Sequence, residues 1–399
     1  MRLAIISNFF APIRTGSSNW AKELAMAHAR SGDEVVVITA SLEHRNEEPR
    51  EEEGYTIYRL KPSIRLPNLS IFMNFDQFHL LGTPGNYRRI KDILRRHEIQ
   101  VVHQSNHLLD SPFMTAMACR SLGLPSLCSV MGKITHQGNR VYDLLLRTAD
   151  RLCLRPMMRG YDAQLAMDRE AVDYVRGTYD HPWIELLPFC TLWRHQVEKM
   201  PLADPGRPLV DRQVRIASVG HVTENRNRLE MVRALPALIR DGFKPHLVIA
   251  GKELTDKPRA EARALGVEHC VEFTGEVSRE RMFEILAGAH IEGHLFAYPG
   301  LGSATEEAMA IGLPVLANGY EGIYGDVPFR NESNIMLVSP EDQEGVDRAL
   351  LRLAGDDALR AEMGAAARRL VLDHLVWETV IERIRDLCLR IIAKKTARA

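Results

Sequence analysis

Short apolar runs alternate with longer mixed stretches along the whole chain. Leu3–Ser7 is apolar, Pro12–Gly16 is rich in turn residues, and a helix is predicted to run on through about Arg30, with Ser17 or Ser18 as its cap. Gly32-Asp33 breaks it, and Val35–Thr39 is a second buried strand. Strand, loop, helix, strand is the unit of a parallel sheet covered by helices. The alternation predicts further strands at Ile57–Leu60, Ile99–His103, Ser126–Met131, Ala163–Ala166 and Ile184–Leu187. Helices fall at Tyr87–His97 and Pro112–Leu122.

Pro201–Arg212 is dense in proline and charge and reads as a hinge. A second α/β series follows. Its predicted strands are Val214–Val219, His246–Ala250, Val271–Thr274, Ala289–Phe296, Val315–Ala317 and Asn334–Val338. Leu229–Asp241, Lys257–Leu265, Arg279–Ala287 and Ala304–Ile311 supply the helices. Two Rossmann-like, doubly wound parallel-sheet domains (residues 1–200 and 207–374) are expected to face a central cleft. Such sheets bind ligands beyond the carboxyl ends of their strands.

Composition narrows the picture. The 399 residues suit two domains of about 150–200 residues. With 45% hydrophobic and 26% charged residues, long disorder is excluded, and a net charge of −1 offers no field for nucleic acid. No apolar run approaches the roughly 18 residues that cross a bilayer. The N-terminal run is too brief for a signal sequence and is followed at once by Pro12 and Gly16. Cys119, Cys128, Cys153, Cys190, Cys270 and Cys388 lie far apart without metal spacing. They read as reduced core thiols of a cytoplasmic protein.

The densest chemistry lies in Tyr298–Ala310. Gly300 and Gly302 allow close backbone approach, and Ser303 or Thr305 can cap the helix that follows. A helix start presents free N–H groups and partial positive charge, which suits a diphosphate. Glu307, one turn inside, is placed to hold the vicinal hydroxyls of a ribose. The plain alternative is a tight turn followed by a solvated helix.

Glu307-Ala308-Met309-Ala310-Ile311-Gly312-Leu313-Pro314-Val315 resembles the E-A-M-A-x-G-x-P-V signature of family 4 glycosyltransferases. Val219-Gly220-His221 through Arg226-Asn227, Phe273-Thr274-Gly275-Glu276-Val277 and Leu375-Val376-Trp377-Glu378 resemble further motifs of that family, in order. The resemblance implies a GT-B fold whose last helix (375–399) returns to the first domain. It implies transfer of a sugar from a nucleotide-sugar donor, with UDP the default base and GDP the alternative. Retention of configuration, no metal and no further cofactor come with it. His221, Arg226 and Glu307 are the expected catalytic residues. Thr15, Gly16, Arg226, Glu276, Val277, Gly300, Gly302, Ser303, Ala304, Thr305 and Glu307 are the expected donor contacts. His103, Asn106, Lys133 and His136 are candidates for the acceptor.

The chain departs from the pattern at three places. Pro299 stands where the family has the first of two paired glutamates, His221 replaces an arginine, and Met131 replaces a histidine. Arg226 keeps positive charge at the usual lysine position, with Arg228 as an assistant. Two other readings stay open: a non-catalytic nucleotide or glycan binder, and a sugar-nucleotide epimerase of the same architecture. The acceptor is expected to be a sugar, a lipid-linked sugar or a small molecule. Leu69–Leu81 and the arginines 147, 151, 155 and 159 suggest peripheral contact with an anionic membrane at its cytoplasmic face.

Overall fold

The computed structural model describes residues 1–13, 16–67, 77–131, 144, 147–188, 190–223, 226, 228–296 and 299–397. The chain divides into two compact units, Met1–Pro188 with Val380–Ala399, and Phe189–Thr379.

The first unit contains β1 (Arg2–Ile6), α1 (Gly16–Arg30), β2 (Glu34–Ala40), β3 (Arg50–Glu52), β4 (Tyr55–Leu60), β5 (Ile64–Pro67) and β6 (Gln77–Leu80). After these come α2 (Pro84–Arg96), β7 (Val101–Gln104), α3 (Ser111–Leu122), β8 (Ser126–Val130), α4 (Arg155–Met158), β9 (Ala163–Ala166), α5 (Arg169–Tyr179) and β10 (Ile184–Leu186). Its sheet has the order β10-β9-β8-β7-β1-β2-β4-β3, parallel except for β3. Apolar side chains at 0–4% exposure fill β1 and β2, the near-continuous apolar composition of strands covered on both faces. Part of the acidic run before Tyr55 forms the antiparallel edge strand β3, where its charges suit a solvated edge.

The second unit contains α6 (Arg194–Lys199), β11 (Gln213–Val219), α7 (Leu229–Arg240), β12 (Lys244–Ala250), α8 (Lys257–Ala264), β13 (Val271–Gly275), α9 (Arg279–Ala287) and β14 (Ile291–His294). Then follow α10 (Ser303–Ala310), β15 (Val315–Asn318), β16 (Met336–Val338), α11 (Gln343–Gly355) and α12 (Asp357–His374). Its all-parallel sheet has the order β13-β12-β11-β14-β15-β16. The chain winds outward from β11 and then restarts at β14 on its other side, so the switch point lies between β11 and β14.

Three expectations change. Residues 189–200 belong to the second unit, because Leu192 bridges Val376, Arg194 bonds Glu378 and Leu372, and Val197 lies in that unit's core. Pro201–Arg212, expected as a hinge, is bonded into the same unit. Buried Arg360 donates to the carbonyls of Pro205 (2.7 Å) and Arg207 (3.2 Å), and Ala203 N donates to Ile311 O. Helix α1 begins at Gly16, so neither Ser17 nor Ser18 is its cap. Ser18 instead turns back to donate to Ile13 O.

The last helix, α13 (Trp377–Thr396), starts in the second unit and ends in the first. Arg385 grips buried Asp33 with two bonds of 2.9 and 3.0 Å, and Lys395 pairs with Asp162. Pro156 sits at the start of α4, directly after a π turn over Asp150–Leu154. The π turn runs straight into α4, and its wider winding accommodates a residue with no N–H to give. Cys153 is exposed, unlike the other five thiols.

Candidate active site

In the second unit, three strand ends are laced together by glycines. Gly220, Gly251 and Gly275 follow or end β11, β12 and β13 with φ of 121°, 148° and 67°. Gly220 N donates to Ala250 O at 2.8 Å and Gly251 N to Gly275 O at 2.9 Å. A Cβ on Gly251 would stand 2.3 Å from Gly220 O, so only glycine fits there.

Helix α10 starts beside the end of β14. Gly302 is its N-cap, in extended backbone and with no side-chain bond to the first turn. The expected caps do otherwise: Ser303 is exposed at the first helical position, and Thr305 is fully buried, its Oγ1 without a partner among the described residues. A helix start capped by glycine keeps backbone N–H groups free for an anion. Its loop is held by two anchors. Gly300 N donates to Asn318 O (3.1 Å), and Leu301 N to the Tyr324 hydroxyl (2.5 Å).

The charged candidates gather round this loop unequally. Arg226 lays its guanidinium 4.7 Å over the Phe296 ring, and Phe296 stacks on His294 at 4.5 Å. His221 is exposed, its Nδ1 receiving the Lys252 N–H at 3.3 Å. Arg228 is fully buried and donates to the carbonyls of Val219 and Gly220, both at 3.3 Å, and of Arg226 at 3.0 Å. It therefore fixes the loop that carries Gly220 and Arg226, and solvent does not reach it. Burial pulls its guanidinium down to about 10, against the pull of Glu292.

Glu307 is mostly enclosed, and Arg279 from α9 pairs with it at 2.7 Å. Burial raises its carboxyl above the ordinary range and Arg279 opposes the rise. Glu306 turns inward to accept from Thr191 at 3.1 Å. Ala304 is buried, Glu276 is exposed and Val277 packs on the core, so Glu276 has the freer side chain of the base-side pair. Pro299 is half-buried.

In the first unit, Asn106 Nδ2 donates to Ser17 Oγ at 3.1 Å, which ties it to the first turn of α1 beside Gly16. His103, expected near an acceptor, is fully buried in β7 and bonded to Ser129 Oγ at 2.7 Å. Burial lowers it to about 3, so it is a neutral core histidine. Thr15, Lys133 and His136 lie outside the described residues. Among the buried titratable residues that the sequence reading did not single out are His107, Glu292 and His294. Nothing in local apolar patterning marks a polar residue inside a buried strand as functional. Among the described residues no group of three or more His, Cys, Asp or Glu could hold a metal ion, and no helix is long and apolar enough to cross a membrane.

Paired parallel-sheet units with a glycine-capped helix at a switch point define a GT-B protein. Residues 15–185 match the family described as glycosyl transferase 4-like domain, and residues 204–370 that of glycosyl transferases group 1. The chain belongs to the family 4 glycosyltransferases and is a hexosyltransferase. It is 26% identical over its full length, and the full length of the other, to a GDP-mannose-dependent alpha-mannosyltransferase of Mycolicibacterium smegmatis. It is 28% identical, over 43% of this chain and 46% of the other, to a GDP-mannose-dependent monoacylated alpha-(1-6)-phosphatidylinositol monomannoside mannosyltransferase of Corynebacterium glutamicum. Its fold resembles sucrose-phosphate synthase of Thermosynechococcus elongatus, with a TM-score of 0.72 at 18% identity over 99% of this chain and 100% of that one. Anabaena Alr3699/HepE in complex with UDP has a TM-score of 0.71 at 13% identity, over 97% and 99%.

Proposed function

We propose that the protein transfers a mannosyl residue from GDP-mannose to a sugar or lipid-linked acceptor, with retention and without a bound metal. The observation that carries the donor site is the glycine-capped start of α10, which offers free N–H groups at the switch point of the second sheet. The GDP-mannose dependence in the names of the two mannosyltransferase relatives supports guanosine over the UDP that served as default. Charge on the departing diphosphate would be met by the α10 start and by Arg226, electrostatic stabilisation of the leaving group. Glu307, kept near Arg279, is the ribose partner in this reading. The acceptor hydroxyl attacks C1 on the face the diphosphate leaves and passes its proton to a phosphate oxygen, so no protein nucleophile is needed.

Peripheral attachment to an anionic membrane is part of the proposal. Leu144 and Leu152, 64% and 71% exposed, share a segment with the exposed Arg147 and Arg151, which supports it. The decisive experiment is calorimetric titration with GDP, UDP, CMP and dTDP in EDTA, followed by turnover of GDP-mannose. Saturable binding of GDP alone is expected. Binding of UDP alone would refute the donor assignment, and binding of none would refute the function.

A further inference from the structure

Strand β14 carries Glu292 and His294 two residues apart, so both side chains leave the same face of the sheet. Glu292 is 0% exposed and His294 2%. Neither carboxyl oxygen of Glu292 and neither ring nitrogen of His294 has a hydrogen-bond partner among the described residues. Buried polar atoms left in that state are costly and uncommon in folded proteins. The two groups approach each other, His294 Nδ1 lying 3.6 Å from Glu292 Oε1.

The opposite edge of the imidazole faces two glycines. A Cβ on Gly220 would lie 3.2 Å from His294 Cε1 and 3.9 Å from Nε2; one on Gly302 would lie 3.6 and 3.8 Å away. Gly220 begins the loop after β11 and Gly302 caps α10, and between them they border the switch point. Any larger residue at Gly220 would crowd this edge. Phe296, under Arg226, stacks on the ring and sets its plane.

We propose that His294 is a donor-site residue whose Nε2–H bonds the β-phosphate where Gly220 and Gly302 leave room, with Glu292 held behind it at Nδ1. The inference rests on the nucleotide-sugar reading above. Burial keeps the imidazole neutral, far below its ordinary range, and lifts the Glu292 carboxyl to about 8, with Arg228 pulling the other way. Near neutral pH Glu292 is therefore largely a carboxylic acid. When the diphosphate arrives, the 3.6 Å gap closes to hydrogen-bond distance and the acid proton passes from Glu292 Oε1 to His294 Nδ1. The products are an imidazolium facing the phosphate and a carboxylate near Arg228, with no proton gained or lost overall. This charge replaces part of what an arginine would provide at position 221, which here holds a histidine.

The test is calorimetric titration of GDP and GMP into the wild type and into His294→Phe, His294→Gln and Glu292→Gln, all checked for folding by circular dichroism. UDP and UMP are used instead if the wild type selects uridine. His294→Phe preserves ring stacking and should weaken GDP about tenfold or more while leaving GMP within about twofold. His294→Gln, whose amide Nε2 reaches the same place, should recover part of the loss. Equal GDP affinity in folded His294→Phe, or equal weakening of GDP and GMP, overturns the inference alone. A wild type that binds no nucleoside diphosphate overturns the functional reading and this inference with it. A histidine-15N spectrum of the wild type serves if the variants do not fold. One buried imidazole should move its ring-nitrogen signals with GDP but not GMP, and the absence of that change overturns the inference.

Discussion

Glu307 shows how far one residue can be argued. Its place in the E-A-M-A stretch marked it, but its state depends on Arg279, which lies 28 positions earlier and pairs with it at 2.7 Å. Removing the carboxylate in Glu307→Ala should lower nucleotide affinity about tenfold, the loss of a charge-assisted hydrogen bond. Calorimetry checks this, and unchanged affinity in a folded variant removes Glu307 from the site. The pH dependence follows from sign. Burial raises this carboxyl and the ribose-binding form is ionised, so donor affinity should fall with decreasing pH sooner than for an ordinary carboxylate. Arg279→Ala takes away the opposing charge and should move that fall to still higher pH, as Kd measured against pH will show. Pro299 offers a second residue test. Pro299→Glu should leave the fold intact, and a gain in turnover would mean that the wild-type site lacks the carboxylate other members of the family have there.

At the scale of elements, the segment around Pro205 was misjudged because proline and charge usually mark linkers. What holds it is Arg360 on α12, fully buried, giving bonds to Leu353 O, Ala354 O, Pro205 O and Arg207 O. No local pattern announces a helix arginine that serves carbonyls some 150 residues away. Arg360→Met should cost about 3 kcal/mol, because several buried carbonyls lose their donor. Arg360→Lys should not restore the loss, since a lysine cannot reproduce the planar fork. Urea denaturation measures both, and an unchanged midpoint in Arg360→Met would show that the segment is held by its neighbours alone. The parallel strands, by contrast, were legible nearly to their ends, whereas the antiparallel β3, β5 and β6 were not. Apolar runs such as Val35–Thr39 have no other place in an α/β protein than a covered parallel sheet.

For the whole molecule, α13 matters most. Its Val380, Ile384, Leu387, Cys388 and Ile391 are buried in the unit that includes residues 1–188. Each such apolar side chain contributes roughly 1.5–3 kcal/mol. A chain ending at Thr379 would also leave buried Asp33 without Arg385. Limited proteolysis of that truncated chain should therefore cut residues 1–188 rapidly and spare 189–379. Equal resistance in both would show that the first unit does not depend on the helix.

Two series of alternating strands and helices, the glycine loop before Ser303 and the E-A-M-A run all follow from local composition. They determined the fold class, the presence of two sheets and the neighbourhood of the proposed donor site. Periodicity and turn chemistry act over a few residues, so they can be read in order along the chain. Tertiary structure alone decided that Gly302 caps α10, that His103 is core, and that Arg228 supports the loop carrying Gly220 and Arg226 from inside. It alone brought His294 to the edge of Gly220 and Gly302, with Glu292 behind it. Burial and the partners of a polar group depend on what the rest of the chain packs around it, and no window of sequence contains that.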